Sequence, residues 1–219
     1  MAALGAEQES TLRLGTSVGL GTRLDALLTV LSERAPQVMV ELISAPTAAR
    51  LQRVRDGELD AAFVRGVEDS PELEHLPLWR DALVAALPAE HPLVTRQKID
   101  LADLADLPLR IAPREANPHL VDAAVAACRA AGFEPIMGPP FTTDQDTLAA
   151  IASGKPSWTL YYAPQAEIQP APRVLFRPFT DPARPSRATW PYARARRHAD
   201  WRPSWTPATG LVTPPPRCR

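Results

Sequence analysis

Between Leu12 and Val64, three extended apolar runs alternate with two helix-like segments. "LRLGTS" alternates and reads as a strand, and "VMVELI" (Val38–Ile43) is a β-branched one. "LDAAFV" (Leu59–Val64) is a short apolar run of the kind buried in parallel sheets. From Arg23 to Ala35, leucines 24, 27, 28 and 31 recur at helical spacing until Pro36. Thr47 is a good N-cap for a second helix, "AARLQRVRDGE", with Leu51 and Val54 apolar and Gly57 near its end. Five alternating elements within about 55 residues leave few solutions, because parallel strands need a crossover between them. The expected fold class is α/β with an open parallel sheet.

The second half keeps the pattern without repeating the sequence. "LEHLPLWRDALVAALP" supplies two more extended runs, and Pro92 breaks "AEHPLV". "NPHLVDAAVAACRAAGFEP" is a helix that begins near Asn117-Pro118 and stops at Gly132. "TDQDTLAAIASG" is another, from a Thr143 or Asp144 cap to Gly154, and "WTLYYA" and "RVLFRPF" are strands. With 219 residues there is room for two similar-sized lobes.

The three glycines of "LRLGTSVGLGTRLDALL" sit between a strand and a helix start, a usual anion cradle. A dinucleotide fingerprint fails because Leu24 stands where the third glycine belongs and the second strand ends at Ser44 with no acidic residue. A P-loop fails because Gly21-Thr22-Arg23 lacks the Gly-Lys-Ser/Thr. Catalysis has no better support. Ser17 has no G-x-S-x-G context and no partner at an interpretable spacing, so the chain is expected not to be an enzyme. "DQD" (Asp144–Asp146) is explained by capping and the helix dipole rather than by a metal. Cys128 reads as a core thiol, Cys128 and Cys218 form no disulfide framework, and no spacing suggests zinc. No metal or cofactor is expected. No apolar run approaches the roughly 18 residues of a membrane helix. The first fifteen residues lack a signal peptide's basic start and apolar core, so no membrane association and a cytoplasmic location are expected.

Charge is unevenly placed. Residues 181–219 hold eight arginines against Asp181 and Asp200, a net +6, so the chain's −1 leaves −7 on residues 1–180. The same tail holds eight prolines and Trp190, Trp201 and Trp205, with neither helical nor strand periodicity. Two readings of its composition stand open: an Arg/Trp segment for nucleic acid or membrane, or an unstructured end.

Six segments in order resemble the effector-binding domain of LysR-type transcriptional regulators. They are "LRLGTS", "DGELDAAFV" (Asp56–Val64), "LPAEHPL" (Leu87–Leu93), "IDLADLADLP" (Ile99–Pro108), "AAGFEP" (Ala130–Pro135) and "LAAIASG" (Leu148–Gly154). The resemblance covers roughly residues 11–180 and implies a type 2 periplasmic-binding-protein-like fold of two Rossmann-like lobes joined by crossover strands. It divides the chain into a leader or linker remnant (1–10), lobe I (11–87), lobe II (88–178) and an atypical tail (179–219) in place of the return to lobe I. It also implies that the family's N-terminal helix-turn-helix is absent, so that DNA is reached only through a domain outside this chain. Degenerate GC-rich codons for Arg184–Arg194 can be read two nucleotides out of frame as "ALPGDLAVRP", which resembles the strand that the family has here. The tail is therefore expected to be a frame-shifted translation beginning near Asp181–Pro185.

By the same resemblance, a small anionic effector, a carboxylate foremost, binds between the lobes and biases their orientation. Thr16, Ser17, Val18 and Gly19 occupy the loop after the first strand, where backbone N–H groups face the effector. Thr47 matches an effector-contacting position, with a plain N-cap as the other reading. Arg65 ends the third strand, where ligands bind in open α/β sheets, with a surface arginine as the alternative. In lobe II, Pro118 and His119 start a helix and Thr142 and Thr143 precede the next; His119 is either an anion donor or a cap. The implied hinge is Ala85, Ala86, Leu87 and Pro88 with Pro178, and the implied homodimer or tetramer pairs through Leu27, Leu31, Ala123 and Ala127. Three other readings compete: a stand-alone solute-binding protein of the same fold, a non-functional truncated fragment, and a nucleic-acid binder acting through its arginine tail.

Overall fold

The alternation read between Leu12 and Val64 is realised as a parallel sheet. The structure is a computed structural model that describes residues 10–66, 72–180, 186–193, 204–205 and 212–213. In the first of two units, β1 (Ser10–Thr16), α1 (Thr22–Arg34), β2 (Val38–Ser44), α2 (Thr47–Arg55), β3 (Ala61–Ala62) and β4 (Val64–Arg65) follow in order. β1 pairs β2 in parallel along its whole length, from Ser10↔Val38 to Thr16↔Ser44, and pairs β3 in parallel at Leu14↔Ala61 and Gly15↔Ala62. The "LDAAFV" run is buried as expected, but it breaks at Phe63 into two short strands with different neighbours.

The core of this unit gathers Val54 of α2 with Leu59, Ala62 and Leu73, and Ile43 and Leu51 pack on it. Gly15 permits the close approach. A Cβ there would stand 2.8 Å from Ala62 Cβ, 3.0 Å from Leu59 Cδ1 and 3.2 Å from Arg50 Cδ.

α2 starts differently from expectation. Its N-cap is Pro46, which has no side chain to cap with, and Thr47 is the first helical residue. Thr47 is therefore not a cap, and its hydroxyl is left for other work.

β5 (Leu73–Asp81) leads onward, and the chain changes unit between Trp79 and Arg80. The second unit holds β6 (Leu83–Pro88), β7 (Leu109–Arg110), α3 (Pro118–Ala130), α4 (Asp144–Ser153), β8 (Trp158–Tyr162), the short α5 (Ala163–Ala166) and β9 (Val174–Pro178). Its sheet runs β7-β8-β6-β9, with β6 antiparallel to both neighbours and β7 parallel to β8. Alternate residues of β6 serve opposite faces. Leu83, Ala85 and Leu87 join one cluster with Leu104, Cys128 and Trp158, while Val84 and Ala86 join another with Ile151 and Tyr161. That explains why "LVAALP" is apolar without interruption.

The expected hinge residues all fall within strands of the second unit. Ala85, Ala86, Leu87 and Pro88 lie in β6, inside the second sheet, and Pro178 pairs with Val84 at the end of β9. The lobe boundary expected at residues 87 and 88 lies at Trp79–Arg80, because β6 pairs with β8 and β9.

The tail also departs from expectation. β10 (Ser186–Ala193) runs antiparallel beside β3 at Tyr192↔Ala61 and β4 at Ala188↔Arg65 and Thr189↔Val64, completing the order β2-β1-β3-β10-β4, and β5 pairs with β10. The chain returns to the first unit at Ala188, so it does make the return that the atypical tail was expected to replace. Its partners β3 and β4 lie more than a hundred residues earlier in the chain, a pairing that apolar periodicity does not record. β11 (Ser204–Trp205) and β12 (Val212–Thr213) form a two-stranded ribbon. The 1–9 leader, residues 181–185 and most of the later tail lie outside the described residues.

Cys128 is fully buried in α3, and burial, then the Glu134 charge, pushes its thiol up to about 11. With Cys218 replaced by serine, the native chain is expected to resist thiol reagents at mildly alkaline pH and to react only after denaturant is added. Labelling at the rate of a free thiol would contradict this packing.

Candidate functional site

Thr16 ends β1, Thr47 begins α2, and Arg50 connects the two. The sheet register places Thr16 opposite Ser44, so the chain leaves β1 and β2 at the same end. Arg50 Nη1 donates to the Thr16 carbonyl at 2.7 Å and to the Ala45 carbonyl at 2.9 Å, and Nη2 donates to Thr47 Oγ1 at 3.0 Å. The Ala45 N–H reaches the same Thr16 carbonyl at 3.4 Å. Arg50 is only 2% exposed, and its Nε is buried without a hydrogen-bond partner. Burial, then the nearby positive charge of Arg65, lowers its pKa to about 10, so it remains a cation at neutral pH.

Two expected residues, Thr16 and Thr47, are thus hydrogen-bonded through an arginine that the sequence reading did not single out, and the charge of a third, Arg65, lies near it. The signal was present. Arg50 stands four residues before Val54, and these are the two buried residues of α2. Charged residues on a buried face are rare unless they have a role.

The remaining loop candidates are spread out. Ser17 is half-buried and Val18 is 77% exposed. Gly19 is buried and groups with the second unit, where its Cα faces the Tyr162 ring and Gln165.

In the second unit, Asn117 caps α3 by accepting the Leu120 N–H at 3.2 Å, with Pro118 as the first helical residue. His119 is therefore not the cap. It is half-buried and lies near Asp122. Arg114 grips Asp122 through two hydrogen bonds of 2.7 Å, and this contact leads in holding that carboxyl below its usual range. Thr143 caps α4, its Oγ1 accepting the Asp146 N–H at 3.1 Å. The Thr142 N–H donates to Thr147 Oγ1 at 3.2 Å, and both Thr142 and Thr143 side chains reach the surface. Asp144 accepts from Tyr161 Oη at 3.0 Å and from Gln165 Nε2 at 2.9 and 3.0 Å. Burial, then the Asp144 charge, raises the Tyr161 phenol well above its usual range. Pro118 and His119 on α3 and Thr142 and Thr143 before α4 are not joined to each other by any of these bonds.

The LysR substrate binding domain model matches residues 5–202. The chain belongs to that family. A LysR relative from Escherichia coli K12, the Hca operon transcriptional activator HcaR, is 36% identical over 81 residues, covering 37% of this chain and 27% of its own length. The HTH-type transcriptional regulator TtuA of Agrobacterium vitis is 27% identical over 161 residues, 70% of this chain and 53% of the relative. The chain thus spans about half or less of the length of these curated LysR relatives. The BenM effector binding domain with its effector benzoate superposes with a TM-score of 0.76 at 23% identity, covering 87% of this chain and 86% of that one. The shared fold is the type 2 periplasmic-binding-protein-like one of LysR effector-binding domains.

Among the implied pairing positions of this LysR domain, Leu27 is buried, only 7% exposed. Leu31, Ala123 and Ala127 are half-buried and keep part of their surface. No helix among the described residues is long and apolar enough to cross a membrane.

Proposed function

We propose that this chain is the ligand-sensing part of a LysR-type transcriptional regulator and that it binds a small anionic metabolite, a carboxylate foremost. The observation that carries the reading is the convergence of Thr16 and Thr47 on the buried Arg50 through hydrogen bonds, with the charge of Arg65 nearby. Two guanidinium groups lie close enough to repel, and no carboxylate among the described residues pairs with Arg50. Such a locus favours an incoming anion over a neutral ligand. Ser17 and Val18 complete the first unit's candidate set, and Gly19, Pro118, His119, Thr142 and Thr143 form the second unit's own.

A sensing role rather than catalysis agrees with the relatives, which are transcriptional regulators. BenM's effector, a carboxylate, supports the ligand class by analogy. In the whole regulator, the DNA contact would come from a separate helix-turn-helix, the protein would work in the cytoplasm, and copies would pair through Leu31, Ala123 and Ala127.

A thermal-shift screen of small carboxylates tests the reading. A binder is expected to raise the unfolding temperature, as any ligand of the native state must. Thr47→Val is expected to weaken that binder about tenfold, the loss of one hydrogen bond to a charged group. Full affinity in Thr47→Val would remove Thr47 from the site. An in-frame helix-turn-helix encoded upstream would support the regulator reading, and a secretion signal there would overturn it.

A further inference from the structure

We infer that Arg50 is the residue that makes this site select an acceptor-bearing anion over its neutral counterpart, acting as a positioning residue through Thr47. The inference rests on the ligand class proposed above and adds what sets it.

A threonine hydroxyl has one proton to give and two lone pairs to accept with, so an unconstrained Thr serves donors and acceptors alike. Here Arg50 Nη2 donates to Thr47 Oγ1 at 3.0 Å, which turns one lone pair inward. No hydrogen bond from the Thr47 O–H is made among the described residues. Its proton and one remaining lone pair are what the hydroxyl has to offer. Pro46 contributes no side-chain cap, so the first N–H groups of α2 beside that proton are also donors in need of acceptors. Donors therefore outnumber the one lone pair that Thr47 Oγ1 retains at this helix start, and the same guanidinium engages the Thr16 and Ala45 carbonyls as acceptors.

Charge works in the same direction. Arg50 is 2% exposed, its partners are two neutral carbonyls and a hydroxyl, and Nε has none. A buried cation without a counter-charge is costly, and one further positive residue, Arg65, stands near it. A bound anion offsets that cost and a neutral isostere does not. Gly15 belongs to the device, because its missing Cβ leaves the space that the Arg50 stem crosses, with Cδ at 3.2 Å from where that Cβ would stand.

The test is equilibrium binding of matched probes to the full 219-residue chain: benzoate against benzamide, malonate against malonamide, and inorganic phosphate. The parent is expected to prefer each acid to its amide by about tenfold or more. Arg50→Gln, which removes the charge, is expected to lose that preference by about tenfold while its amide affinity changes little. Arg50→Lys keeps the charge but cannot reach three acceptors in one plane, and it is expected to fall between the two. A purely structural role for Arg50 would lower acid and amide affinities together and leave their ratio at the parental value. An unchanged ratio in folded Arg50→Gln therefore overturns the inference. Should Arg50→Gln not fold, the Arg50→Lys and Thr47→Val ratios decide, and a parental ratio in both overturns it equally. Failure of every anionic probe to bind the parent overturns the anion reading itself.

Discussion

Substituting alanine for Gly21 is expected to destabilise the chain by about 3 kcal/mol or more, combining backbone strain with overpacking. Gly21 has φ +51°, a left-handed conformation that costs an L-residue about 1–2 kcal/mol. An alanine Cβ at this position would also run into the Pro164 carbonyl group and lie 2.7 Å from the Gln165 nitrogen. Both obstacles are backbone, so neither can step aside as a flexible side chain would. Gly57→Ala is the control. It has φ +75° and meets nothing within 4 Å, so its loss is expected to be strain alone. Urea unfolding of the two variants measures the difference. Equal midpoints would show that the Gly19–Gly21 turn does not pack on α5 as described.

Trp158→Ala is expected to cost about 3–5 kcal/mol, the range for deleting a large buried aromatic. Trp158 is 1% exposed in the larger core cluster, among Leu87, Leu104 and Leu109. Its Nε1 donates to the Leu107 carbonyl at 3.0 Å, tying β8 to the segment before β7. Trp158→Phe retains much of the volume and leaves that carbonyl unpaired, a loss of about 1–3 kcal/mol. A phenylalanine variant as unstable as the alanine one would place the weight on the hydrogen bond and not on packing. Denaturant midpoints of both variants, read by circular dichroism, settle the ratio.

Helices α1, α3 and α4 were legible because their signals are local. Asn117-Pro118 starts α3, and Thr143, not Asp144, caps α4, each through a bond within one turn. β6 announced itself as a continuous apolar run, yet the run did not say which unit it belongs to. Resemblance assigned Ala85–Pro88 to a hinge, and pairing with β8 and β9 places them in a sheet interior. Thr47 followed the same course. Its residue type fits an N-cap, but the helix starts one residue earlier, and Arg50 claims the hydroxyl.

The candidate site was half legible. Resemblance and position point to Thr16, Thr47 and Arg65, and neither singles out Arg50. What makes it special is burial against three acceptors from Thr16, Ala45 and Thr47, which come together only when β1 and α2 are in place.

By itself, then, the sequence determined the α/β class, the strand–helix order from β1 to β3, the starts of α3 and α4 and the absence of a nucleotide fingerprint, because each depends on residues within a few positions of one another. Tertiary structure alone decided the unit to which each strand belongs, the return of β10 to the first sheet, and the role of the glycines in "LRLGTSVGLGTRLDALL". Gly15 admits the Arg50 stem and Gly21 admits the Pro164 backbone. The partners responsible lie far along the chain, and no local pattern records what a missing Cβ makes room for.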